Sequence, residues 1–264
     1  MEQLAARYAH NVEVGDSSSP PATMTDEQNK EIEQYLADTI MERPYGFSVG
    51  DRHFALYPVS LGKMYLLQRH ISNLEMNTQG LQRDLSLEAL RLAKTKRSEC
   101  LNIIYFHTCR KKDEIFDNAR MMETTSLFEK EMSEEDVAAL MIMVLSSDKT
   151  DMFIKHLCLD KEQNRMSTVM KVKEKSDKNN ITFGGLSLYG SFIQPLIEMG
   201  MTWDEILWER SYTNLRLLLA DKVNSIYVSD DERRKIPAWA LGNGKSIKAD
   251  NPKNKELIKN MSWK

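Results

Sequence analysis

Apolar residues recur at spacings of three and four along most of this chain, and at a spacing of two in one short stretch. The first pattern predicts helix, because about 3.6 residues per turn brings i, i+3, i+4 and i+7 to one face. The second predicts strand, whose side chains alternate between faces. Met64, Leu67, Ile71 and Leu74 make one helical stripe, running on from Ser60. Val137, Leu140, Met141, Val144 and Leu145 make another. Ser133 with Asp136 opens it as a capping box, the hydroxyl taking an orphan amide while the acid reaches back. Leu87, Leu90, Cys100, Leu101 and Ile104 suggest a helix with a basic middle, and further helical stretches run near 147–159 and 161–174. Upstream, Thr25 with Gln28 opens a first helix that Pro44 stops. Between them, Phe47-Ser48-Val49 and Arg52 to Tyr57 alternate on either side of Gly50-Asp51, which predicts a β-hairpin over 46–57 ended by Pro58.

The second half is less regular. Lys171 to Asn180 reads as a charged linker, and Gly184-Gly185 as a turn. Residues 186–199 are apolar and predict a helix that Pro195 kinks or restarts, with Gly200 as its C-cap. Thr202 with Glu205, and Met201 stapling onto Ile206, predict the best-defined helix start of the chain. Ser211 starts the next, with Tyr212, Leu215, Leu219, Val223 and Ile226 along one side. After Ser229 the pattern dissolves, and Arg233 to Lys264 reads as a mobile arm interrupted by Pro237, Gly242, Gly244 and Pro252. The expected fold is mainly α, a helical domain with one small N-terminal β-hairpin. Residues 1–44 make a flexible arm and first helix, 45–228 the helical domain, and 229–264 a basic tail. Leu67, Ile71, Leu140, Val144, Ile206 and Leu219 belong to the expected core.

Composition agrees with helix: Gly and Pro number 11 and 7 in 264 residues, while Met reaches 16. A net charge of −3 exerts no global pull toward nucleic acid or membrane. Three cysteines, Cys100, Cys109 and Cys158, make no disulfide framework and point to a reducing compartment. The first residues lack the basic start and apolar run of a secretion signal, and no apolar run approaches the ~18 residues needed to span a bilayer. A cytoplasmic protein is therefore expected.

Candidate chemistry is thin. Gly242-Asn243-Gly244-Lys245-Ser246 imitates a phosphate loop, but Trp239 stands where the first glycine is required, and no strand precedes it. His107/Cys109 and His156/Cys158 could be read as a zinc set. On helices, however, residues two apart point about 200° from each other, so one ion cannot take both members of a unit. Buried thiols acting as small hydrophobes are the better account. No nucleophile elbow or protease cysteine occurs, and Glu134, Glu135 and Asp136 suit a helix N-terminus more than an acid–base pair. No catalytic, cofactor-binding or metal-ligating residue is assigned, and a non-enzymatic protein is expected. Arg91, Lys94, Lys96 and Arg97, with Arg110, Lys111 and Lys112, read as a solvated basic face. The tail carries nine Lys or Arg against two acids, so DNA contact there, with Trp239 and Trp263 stacking on bases, is an alternative.

Residues 47–64, Phe-Ser-Val-Gly-Asp-Arg-His-Phe-Ala-Leu-Tyr-Pro-Val-Ser-Leu-Gly-Lys-Met, resemble the opening of phage tail assembly chaperones, in which a short hairpin leads into a helix. Met199-Gly-Met-Thr-Trp-Asp-Glu-Ile-Leu207, followed by a Leu-rich helix, is similar to a phrase common in such proteins. Together the resemblance covers about a third of the chain; the basic tail is not part of it. It implies a small helical protein of the infected host's cytoplasm, absent from the mature virion, that holds the tape-measure protein while the tail tube polymerises. A homo-oligomer is compatible with it. The alternative is a minor structural or packaged virion protein. The methionines would suit an adaptable apolar binding groove, though ordinary core filling is the preferred account of them.

Overall fold

The computed structural model describes residues 26–176 and 185–241. The arm at 1–24, the Thr25/Gln28 cap, the Gly184 turn position, the Gly242–Ser246 decoy and Trp263 lie outside the described residues. The fold is mainly α with one two-stranded hairpin, as the periodicity predicts. The described residues gather into two compact units, the larger formed by 26–159 with 185–222, the smaller by 160–176 with 223–241.

In the larger unit, helix α1 (Asp26–Ile40) precedes strands β1 (Tyr45–Val49) and β2 (Arg52–Leu56), which pair antiparallel from Tyr45↔Leu56 to Val49↔Arg52. That register leaves Gly50 and Asp51 as a two-residue turn. Gly50 has φ +55°, which suits a residue without Cβ at the first turn position. Helices α2 (Leu61–Asn73), α3 (Thr78–Arg83), α4 (Leu85–Thr95) and α5 (Arg97–Thr108) come after the hairpin. Next are α6 (Lys112–Ile115), α7 (Asn118–Glu131), α8 (Glu134–Leu145) and α9 (Thr150–His156).

Helix α5 is buried nearly all round over its second half, and the unit is built about it. Residues 103–107 are all buried, and α2, α7, α8 and β2 pack against it. The hairpin adds Val49 and Leu56 to this core, with Phe54 edge-on to Phe128 of α7 at 5.0 Å. The Ser133–Asp136 capping box forms as predicted, and Val137, Leu140 and Met141 are buried behind it while Val144 packs partly buried on the same core. Leu67 and Ile206 are buried as well, with Ile71 and Leu219 packed against the clusters.

Several expectations give way. The single helix through Leu87 and Cys100 is two helices broken at Lys96, whose φ −130° and ψ 33° leave the helical region, and Leu87 is 67% exposed. Helix α10 (Leu159–Ser176) continues through the first half of the expected linker at 171–180. Its Lys and Glu residues are good helix formers despite their polarity. Residues 186–199 form a π-helical turn at Tyr189–Ile193 and then α11 (Gln194–Glu198), which Pro195 opens. The well-capped start at Thr202 leads only into a π turn at Glu205–Glu209, because Arg210 is extended. Helix α12 (Tyr212–Ala220) stops before Val223, which is exposed. In the smaller unit the expected mobile arm is ordered over its first part. A Ser229–Glu232 capping box starts α13 (Asp230–Lys235), a 3₁₀ turn spans Ala238–Leu241, and Ile236 and Ala240 are buried.

Candidate functional site

The two stretches that carry the family resemblance meet in the larger unit. Ser60, the extended residue before α2, pairs through an isolated antiparallel bridge with Ser211, and the Tyr212 amide donates to Val59 O at 2.8 Å. Leu61 then shares a core with Ile193, Leu196, Ile206 and Leu215. Gly62 lies beneath the indole of Trp208: a Cβ there would stand 2.5 Å from Cζ3. Phe116 packs edge-on against the same indole at 5.6 Å, and Lys112 Nζ lies 5.7 Å from its centre. Glu42, held at φ +52°, closes the joint from the end of α1. Its Oε1 accepts from the Ser211 amide at 2.7 Å and from Asn214 Nδ2 at 3.1 Å, and Asn214 also donates to Thr39 O.

Inside the joint sits a buried polar cluster. Lys63 is 2% exposed, and its ammonium donates to Cys109 O. Burial lowers its pKa to about 8, against the opposing pull of Cys109, Glu114 and Glu42. His107, also buried, has its pKa lowered to about 4 by desolvation and by Lys63; its Nδ1 faces Tyr57 O at 3.3 Å. Burial raises the Cys109 thiol, and its Sγ lies against Tyr105 O and Glu114 O. Burial also pushes Glu114 up, but the Lys111 and Arg110 amides and Arg120 outweigh it and hold the carboxyl below its usual range.

Ser60 and Lys63 stand one helical turn apart, a spacing that nucleophile–base pairs use. Activation requires the base to hold the hydroxyl's proton. Here Ser60 Oγ has no hydrogen-bond partner, and Lys63 is directed at Cys109 O instead. The cluster fastens α2 to the end of α5. Sequence reasoning missed Lys63, although it is in phase with Leu67 and Leu74, a cation on the apolar stripe of its own helix.

His107 and Cys109 do not point at a common centre, since each has its own backbone partner. His156 ends α9 and Cys158 is exposed at φ +56°. Among the described residues no group of three or more His, Cys, Asp or Glu is placed to hold a metal. The basic face is matched by acids: Arg91 pairs with Glu88 at 2.6 Å, Lys96 with Glu75 at 3.0 Å, Arg97 with Glu129 at 3.1 Å and Lys94 with Glu134 at 3.5 Å. Phosphates would have to compete with these carboxylates. No described helix is long and apolar enough to cross a membrane.

Two shallow, open grooves lie on the surface of the described residues. One, of about 650 Å³, runs between α5 and α7 and is lined mostly by polar residues, Arg97, Asn102, Thr125 and Glu129 among them. The other, of about 370 Å³, is apolar. Tyr189 and Ile197 line it above the buried Ile193, and Trp203 stacks on Tyr189 at 6.1 Å and 14°. Tyr189 is 65% and Trp203 45% exposed, and Ile197 is exposed too. No described methionine lines this groove, while Met132 and Met141 fill the core. Neither groove is lined by Ser60, Lys63, His107 or Cys109. No protein family, curated protein or solved structure matches this chain.

Proposed function

We propose that this chain is a non-enzymatic phage assembly protein, a tail assembly chaperone that binds the tape-measure protein in the host cytoplasm. The observation that carries the reading is the exposed Tyr189–Trp203 groove. Two stacked aromatic rings exposed beside Ile197 form a small apolar surface, which suits the apolar face of a helix. The groove takes Trp203 from residues 199–207, one of the two stretches that resemble the family, and the other stretch shares a core with the groove's Ile193 through Leu61. A buried cluster closed to both grooves favours a binding role over catalysis.

The test is mass spectrometry of purified virions and of infected-cell lysate, with affinity capture of the tagged chain from that lysate. The reading expects the chain in lysate bound to the tape-measure protein, and not in mature particles. Abundant copies in purified virions would reject it in favour of a minor structural protein. Capture without any tail protein would reject it as well.

A further inference from the structure

We draw no further inference here: the strongest candidate, the buried Ser60–Lys63 pair at the start of α2, has its ammonium directed at Cys109 O and lines neither surface groove, so nothing in the structure shows a ligand that reaches it.

Discussion

Gly62→Ala is the sharpest probe of the joint between α2 and the 205–209 turn. The new methyl would lie 2.5 Å from Trp208 Cζ3 and 2.7 Å from Cε3 and Cη2. Carbon atoms need about 3.5–4 Å, so the indole must retreat by about 1 Å or more. A retreat loosens its contacts with Phe116 and with the α2 backbone. Forced overpacking of this kind costs about 1–3 kcal/mol. Alanine replaces glycine within a helix, which returns up to about 1 kcal/mol. The net expectation is a loss of about 1–2 kcal/mol, read as a lower urea midpoint by far-UV circular dichroism. Trp208→Ala should be destabilising alone, since it empties the space over Gly62. In that background Gly62→Ala should become neutral or stabilising, giving a coupling of about 2 kcal/mol in the double-mutant cycle. A midpoint for Gly62→Ala at or above that of the parent, or additive single and double variants, would refute the close approach.

The remaining predictions concern the interior. His107 has its folded pKa depressed to about 4 from 6.5, so its contribution to stability is complete above the unfolded value and is lost as pH falls through the folded one. Stability should therefore drop by up to about 3 kcal/mol between these pH values, and His107→Phe should flatten that part of a chemical-denaturation pH series. Lys63 is likewise depressed, to about 8 from 10.5, so stability should rise with pH across that window, and Lys63→Met should abolish the rise; an unchanged slope would mean that the amine is hydrated. Leu140→Asp buries an unpaired carboxylate in the α8 core and should remove several kcal/mol, so an unchanged melting temperature would contradict its placement. Glu42→Ala strips the Ser211 amide of its acceptor and Asn214 of one of its acceptors, and should cost about 1–3 kcal/mol, measured by denaturation.

The mainly α fold, the hairpin and several helix starts are written in the order of residues alone, because these depend on local spacing and on caps that close within one turn. The Ser133–Asp136 and Thr202–Glu205 boxes both form where the sequence places them. How far a helix runs beyond its cap is a different matter. Thr202 opens only a π turn before Arg210 becomes extended, next to the residues that bridge to Ser60 and Val59. Ends of this kind are set by partners distant in the chain, and no window of neighbouring residues contains them. The same holds for the joint. Gly62 is a weak helix former until the indole of Trp208 lies over it, and Lys63 reads as solvent-facing until Cys109 O supplies its acceptor. The exposed Tyr189–Trp203 pair is legible in sequence only as two aromatic residues fourteen positions apart. Chain folding stacked them, and no other described element covers them, since aromatic rings on a short irregular segment have no period to announce which face they occupy.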